Sequence, residues 1–497
     1  MEYVPTIGLE VHAELQTKSK MFCDSKNDPE ETHPNIHICP VCLGHPGTLP
    51  VINMEAVKKV LLVGFALHGT VATYAEFDRK NYFYPDLPKG YQISQYKYPL
   101  VVEGMLPLPI GKSIRIARIH LEEDTGSIIH DEEGASLVDF NRAGVPLMEL
   151  VSEPDVSSAE EACMFAQELQ LILRYLGVSR ARMERGEMRV EANVSVARKG
   201  EGLGTKVEIK NLNSFKSVER AVAYEVLRQE SLLRSGGKVV QETRGWDERA
   251  QKTVSQRAKE EAHDYRYFPE PDLPPLKMNL PGGIQLEEIR SVIPELPWEK
   301  RRRLKDEYTL DTEAVEVFMR DRDMASFFES ASSELTSWMH VSVSEGEKAD
   351  ETNMKKAYTL LRNYLITDLN GLLKEKALPW KELLVTAENF AELIKMIVKE
   401  ELSSRGAKDI LRIMVEEGGD PLELARERGF LQTSDSEVIL RAMKTVKKDN
   451  EKAFSDYLTG SDNTLQFLIG QTIKEVKKTG LGANPQTVRD CWEKERR

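Results

Sequence analysis

Apolar and polar side chains alternate with a period of two along several short stretches of the first 290 or so residues, and this period predicts strands. In TIGLEVHAEL, Ile7, Leu9 and Val11 fall on one face and Glu10, His12 and Glu14 on the other. IRIARIHLEED, MRVEANVSVAR and GTKVEIKNL repeat the pattern between clusters of Gly, Pro, Asn and Asp. Helical spacing intervenes from Ser158 to Leu176, but strands and helices do not alternate as βαβ units require, so the pattern is α+β with mostly antiparallel pairing. A proline-rich segment from Pro269 to Pro297 closes this part. Helical sequence follows to about Met339, and the polar run Ser342 to Asn353 reads as a hinge. Beyond it Phe390, Leu393, Ile394, Ile397 and Val398 share a helix face that Thr386 is placed to cap, and Ile410, Leu411 and Met414 repeat the spacing before Gly418, Gly419 and Pro421. Residues 463–479 form an amphipathic helix with Leu465, Leu468, Ile469, Ile473 and Val476 inward. The expected architecture is a large, mostly antiparallel β-sheet cradle with helices over residues 1–292. An all-α linker domain (293–341), the hinge (342–353) and an all-α tail (354–497) follow.

Composition narrows the class. A chain of 497 residues, 40% hydrophobic and 30% charged, is that of a globular protein of about three domains. The apolar run around Val60 to Leu67 is too short to span a bilayer, and MEYVPTIGLEVH shows no targeting segment, so the expected compartment is cytoplasmic. The net charge of -13 argues against a polyanion partner only until it is divided. Residues 1–350 carry -14 and residues 441–497 carry +4, which makes the C-terminal end the polyanion-facing candidate.

Three patterns could carry chemistry. Cys23, Cys39 and Cys42 crowd within twenty residues, and the Cys-x2-Cys knuckle suits a structural zinc. A fourth ligand is needed, with His37, His45 and Asp24 as candidates, while the redox reading lacks a thioredoxin-like strand-to-helix context. Second, Glu10 and His12 project together, Glu123 shares the face of Ile119 and Leu121, and Glu149 that of Val145, Leu147 and Val151. A carboxylate on an apolar face must be paired, protonated or bound to a cation, and several acids suit Mg²⁺ with substrate phosphates. Third, residues 77–96 interleave Arg79, Lys80 and Lys89 with Tyr82, Phe83, Tyr84 and Tyr91, placing cations for phosphate beside flat rings for bases. KGEGLGTK (199–206) imitates a P-loop, but its glycines fit neither GxxxxGK[ST] nor GxGxxG.

IGLEVHAELQTKSKMFC, CPVCLGHPGTLPV, FDRKNYFYPDLPKGYQISQY, HLEEDTG, VDFNRAGVPLMELVSEPD, GTKVEIKNLNSF and DYRYFPEPD together resemble GatB, the tRNA-handling member of the aspartyl/glutamyl-tRNA amidotransferases. The likeness extends through a YqeY-like tail ending in GANPQTV, and no room exists between Pro297 and Ser342 for the inserted domain of archaeal GatE. The resemblance implies a ligase that binds Glu-tRNA(Gln) or Asp-tRNA(Asn), phosphorylates the side-chain carboxylate with ATP and lets ammonia displace the phosphate. It implies an amidase partner, GatA, that delivers ammonia, a small subunit, GatC, and the charging synthetase as a further candidate partner. Carried onto this sequence, the Mg²⁺ site is Glu10, His12 and Glu123 with Glu149 nearby, and Lys80, Lys89 and Glu123 match the tunnel end. Arg79, Tyr82 and Tyr84 are the expected ATP contacts, Cys23, Cys39, Cys42 and His37 the zinc ligands, and Lys474, Lys477, Lys478 and Asn484 the tRNA contacts. The sequence departs from the family where Cys23-Asp24-Ser25 replaces a common CxC.

Two other readings compete. A non-catalytic, zinc-stabilised tRNA-binding protein explains the aromatic and basic features, but gains nothing from carboxylates near phosphates. A stand-alone ligase using free glutamine lacks a convincing nucleophile, since Cys163 lies in a helical context and Cys491 near the end.

Overall fold

The computed structural model describes residues 2–130, 134–258, 265–278, 280, 283–344, 351–433, 436–459, 462–479 and 482–496. The chain divides into two compact units, Met1–Glu299 and Lys300–Arg497. The first is built on a sheet whose central strand is β1 (Tyr3–Glu14). In chain order the small sheet strands β2 (Asp78–Asn81) and β3 (Tyr91–Ser94) follow, then β4 (Ser113–Glu123), β5 (Pro146–Ser152), β6 (Met188–Arg198), β7 (Val207–Leu212), β8 (Glu242–Asp247) and β9 (Lys252–Ala258). Across the large sheet the order is β9-β8-β7-β6-β1-β5-β4, then Val101–Val102 and Thr70–Val71. Every pairing in it is antiparallel except β7 with β8.

The alternation along β1 explains which face is covered. Ile7, Leu9, Val11 and Ala13 are buried and join a core with the inner faces of α1 (Met54–Ala66), α2 (Ala159–Tyr175) and α3 (Phe215–Arg234). Each helix starts where a polar side chain can accept its free N–H groups: Asn53, Ser158 and Ser214. Glu10, His12 and Glu14 therefore occupy the opposite face, which these helices leave uncovered. That face is where the chemistry collects.

In the second unit, helices Arg322–Ser344 and Glu351–Asn363 flank residues 345–350, so the middle of the expected hinge lies outside the described residues. Thr386 caps Ala387–Val398 by accepting from Asn389 N–H (3.1 Å). The last helices, Ser436–Asp449 to Pro485–Arg496, close around Tyr457, Leu468 and Trp492, and Trp492 Nε1 donates to Thr472 Oγ1 at 3.0 Å. Among the described residues no helix is long and apolar enough to cross a membrane.

Candidate active site

Register builds the site before any side chain is considered. On β1, His12 lies opposite Glu149 of β5, and Glu149 lies opposite His120 of β4, so one row crosses three strands. Cross-strand neighbours on one face touch. His12 Nε2 stands 3.3 Å from Glu149, 3.6 Å from Glu122 and 3.7 Å from Glu10, and His120 Nε2 stands 3.5 Å from Glu149. Arg118 reaches Glu149 at 3.4 Å, and Ser94 donates to Glu122 at 3.0 Å. Glu10, Ser94, Arg118, His120, Glu122 and Glu149, with Lys80, Lys210, Tyr96, Tyr265 and Tyr267, line a cavity of about 300 Å³, and His12 sits against its carboxylates. A larger groove of about 670 Å³ beside α1 is lined mainly by aliphatic side chains and surface lysines and holds no such cluster.

Crowded, partly desolvated carboxylates cannot all ionise freely. Burial, then the Glu149 charge, pushes Glu10 up to about 7, and burial with the same neighbour raises Glu122. Burial opposes the charge on His12, but its Glu149 hydrogen bond and the Glu149, Glu122 and Glu10 charges more than offset this and raise it to about 9. Burial lowers His120 to about 4, so the two histidines flanking Glu149 differ in protonation. Burial also opposes ionisation of Glu149, yet His120, His12 and Arg118 hold it well below the usual range. Lys80 is desolvated too, but Glu122, Tyr267 and Glu149 keep it charged, with its ammonium 5.0 Å from the Tyr265 ring centre. A charged histidine already sits where a cation belongs, and two donor triads sharing Glu149, one with Glu10 and His12 and the other with His120 and Glu122, fit a hard divalent ion with phosphate oxygens and water.

The cysteines form a separate centre. Sulfurs of Cys23, Cys39 and Cys42 lie within 4.8 Å of one another. Fully buried Lys20 places its Nζ 3.7 Å from Cys42 Sγ, and the Ser25 hydroxyl lies 3.9 Å from the same sulfur. The Cys23 hydrogen bond, the Cys39 N–H and Lys20 bring the Cys42 thiol down to about 4, whereas the bond to Cys42 and burial push Cys23 up. Three converging sulfurs, one already favouring thiolate, fit a soft metal.

Residues 5–280 match the GatB/GatE catalytic domain family, and residues 348–495 match the GatB domain family. The chain belongs to the GatB family. Similar proteins carry the name of the B subunit of aspartyl/glutamyl-tRNA(Asn/Gln) amidotransferase. That of Caldicellulosiruptor saccharolyticus is 44% identical, covering 100% of this chain and 99% of its own. Those of Thermomicrobium roseum (43%; 99% and 98%) and Carboxydothermus hydrogenoformans (42%; 98% and 97%) match over nearly as much.

Within this GatB chain the expected site residues fall into three groups. Glu10, Glu149 and Lys80 line the cavity, and His12 contacts Glu10 and Glu149. Glu123 does not join them: alternation turns it to the other face of β4, where it binds Lys89 and accepts the Ile93 N–H at 2.9 Å. On this strand it is Glu122, rather than the expected Glu123, that lies beside His12, and Lys89 belongs to that second face. Arg79 makes a two-point pair with Glu270 (2.6 and 2.8 Å) and lies over Tyr91. Tyr82 packs edge-on against Tyr265, and Tyr84 is exposed. His37 Nε2 stands 3.6 Å from Glu31 and 3.9 Å from Asp28, too far for a hydrogen bond, and is buried without a hydrogen-bond partner among the described residues; the group of converging donors is the three sulfurs. Lys474, Lys477 and Lys478 are exposed, while Asn484 caps Pro485–Arg496 and donates to Glu400 at 2.7 Å, leaving less of it for RNA. Sequence reasoning missed His120 and Glu122. The signal was present, because the alternation that set Glu123 beside Ile119 and Leu121 sets Arg118, His120 and Glu122 opposite them.

Proposed function

We propose that this chain is the B subunit of an aspartyl/glutamyl-tRNA(Asn/Gln) amidotransferase, an ATP-dependent ligase, and that the cavity over β1, β4 and β5 is where misacylated tRNA is amidated. The observation that carries this reading is the convergence of Glu10, His12, His120, Glu122, Glu149 and Lys80 inside the segment matching the family's catalytic domain. The side-chain carboxylate of Glu-tRNA(Gln) or Asp-tRNA(Asn) is a poor electrophile. Transfer of the γ-phosphoryl group of ATP to one of its oxygens gives an acyl phosphate and ADP; ammonia then attacks the carbonyl carbon, and phosphate leaves. Glu10, Glu122, Glu149 and His12 would hold Mg²⁺, which when bound neutralises phosphate oxygens during transfer. Lys80, kept charged by Glu122, supports the same developing charge from the cavity lining.

Ammonia reaches this cavity from an amidase partner, GatA, with GatC as the third member of the complex, and the assembly works in the cytoplasm. Cys23, Cys39 and Cys42 would hold a structural zinc whose fourth donor is not His37. In the division of labour proposed here, the catalytic unit acts on the acceptor end while Lys474, Lys477 and Lys478 meet the tRNA body. The test is the assembled complex with each misacylated tRNA, ATP and glutamine. Conversion to Gln-tRNA(Gln) or Asn-tRNA(Asn) with one ADP per amide is expected; amidation without ATP consumption overturns the reading.

A further inference from the structure

The acid cavity has an aromatic lip that neither the phosphoryl chemistry nor the packing of the core uses. Tyr96 and Tyr267 stack with ring centres 4.2 Å apart and planes 9° apart. Both line the same cavity as Glu10, Glu122 and Glu149, although they are 171 positions apart in sequence. Tyr267 covers one face of Tyr96, yet Tyr96 remains 51% exposed, so the surface left open is its other face and its edge. The backbone that carries the ring is also fixed. The buried Asp78 carboxylate accepts the N–H of Tyr96 (2.9 Å) and of Lys97 (3.3 Å), fixing the turn after β3 that carries it. A large aromatic ring, rigidly mounted and half open beside a charged cavity, gains nothing for the fold from its exposure.

A second observation points to a ligand. Gln95 is buried in the cavity wall; its oxygen accepts the Leu121 N–H at 3.1 Å, which fixes the amide and makes Nε2 the donor end. That Nε2 has no partner among the described residues. Cations for phosphates stand close by: Lys80, Arg118 and Lys210 line the same space.

Resting on the amidotransferase reading, we infer that Tyr96, backed by Tyr267, stacks an adenine base at the mouth of the acid cavity. Two substrates of the reaction bring that chemistry: ATP, and the terminal adenosine of the aminoacyl-tRNA. Stacking on one face leaves the phosphates or the acyl group to reach Lys80 and the carboxylates. The ring face supplies the attraction, so its hydroxyl is dispensable.

The experiment measures KM for ATP and for Glu-tRNA separately in the assembled complex, and direct binding of ATP and of uncharged tRNA by equilibrium dialysis. Tyr96→Ala is expected to weaken one of these by about tenfold, the order of losing one base stack, with kcat near wild type. Tyr96→Phe restores most of the loss and Tyr96→Leu does not. An effect confined to ATP assigns the ATP base; one confined to tRNA assigns the terminal adenosine. Unchanged KM and binding for both, or equal rescue by Leu and Phe, overturns the platform. Because dialysis needs no turnover, a wild-type complex that fails to amidate defeats the amidotransferase reading while the platform is still judged by binding.

Discussion

Glu122 and Glu123 are adjacent in the chain and point to opposite faces of the same strand, and the contrast between their surroundings separates the reactive side of the sheet from the braced one. Glu122 faces Glu149, His12 and His120, where carboxylates crowd together and protons are shared unevenly. Glu123 has one cation, Lys89, and one N–H, Ile93, and its charge is matched. Behind that pair lies the cysteine knuckle. A Cβ on Gly44 would come 2.6 Å from Lys89 Cγ, and Gly44 has φ of +68°, so only glycine lets the knuckle close on this lysine. On the other side Gly144, φ +85°, sits where a Cβ would meet Cys42 at 3.5 Å and Glu123 at 3.9 Å. Like charges held together against their own repulsion await a ligand; paired charges wedged under a knuckle hold shape.

The largest effect that follows is on turnover. Glu149→Gln removes the charge shared by His12 and His120 while keeping the volume. ATP-dependent amidation should fall by about two to three orders of magnitude, the range for losing one preorganised electrostatic element, with the melting temperature nearly unchanged. Turnover above a tenth of wild type would merge the two faces into one structural network.

Next comes stability on the braced face. Glu123→Gln leaves Lys89, which is only 10% exposed, without its anion. Breaking such a pair costs about 3–5 kcal/mol, read as a lower urea midpoint, whereas turnover per folded molecule should fall far less than in Glu149→Gln. Lys89→Met should destabilise similarly, and the double substitution by less than the sum. If Glu123→Gln abolishes turnover at full stability, the proposed metal set with Glu122 is wrong.

How much of this contrast is legible in the sequence differs strand by strand. On β1 the period of two is unbroken, so Ile7, Leu9 and Val11 go inward and Glu10 and His12 outward, as found. On β4 the apolar positions run Ile114, Ile116, then Ile119, Leu121, and the register with β5 shifts between Val151 and Ser152. That irregularity re-aims the strand by one residue; Glu123 stands out in the pattern, but its neighbour carries the site. Contacts such as Arg79 with Glu270, 191 positions apart, leave no local trace. His37 is a related case: spacing near Cys39 is visible in the chain, but the acids Asp28 and Glu31 beside the ring are brought there only by the loop's path.

A smaller effect tests the knuckle itself. Cys39→Ser should abolish retention of about one Zn²⁺ per chain and destabilise the catalytic unit locally, while His37→Ala should leave metal content unchanged. Loss of metal in His37→Ala would mean that the ring swings to the sulfurs when metal is present. Lys20→Met offers a sharper probe of the same face, because it removes the ammonium 3.7 Å from Cys42 Sγ and should lower retention without touching a sulfur.

The smallest expected effect lies outside both faces, on helix Asp462–Lys477 and the residues just after it. Leu465, Leu468, Ile469 and Val476 are buried, as the amphipathic pattern requires, and Lys474, Lys477 and Lys478 are left exposed. Lys478 meets Glu475 at 2.5 Å, but an exposed pair three residues apart stabilises by little. If these lysines only complement the helix dipole, replacing all three by Gln shifts stability by about 1 kcal/mol or less and leaves RNA affinity alone. If they meet phosphates, each one lost flattens the logarithmic salt dependence of tRNA binding by about 0.7 to 0.9. We expect the second outcome, with binding weakened and turnover at saturating tRNA retained. Filter binding of tRNA across a salt series, wild type against the triple substitution, separates the two, because a helix-dipole role moves the melting temperature and a phosphate role moves the slope.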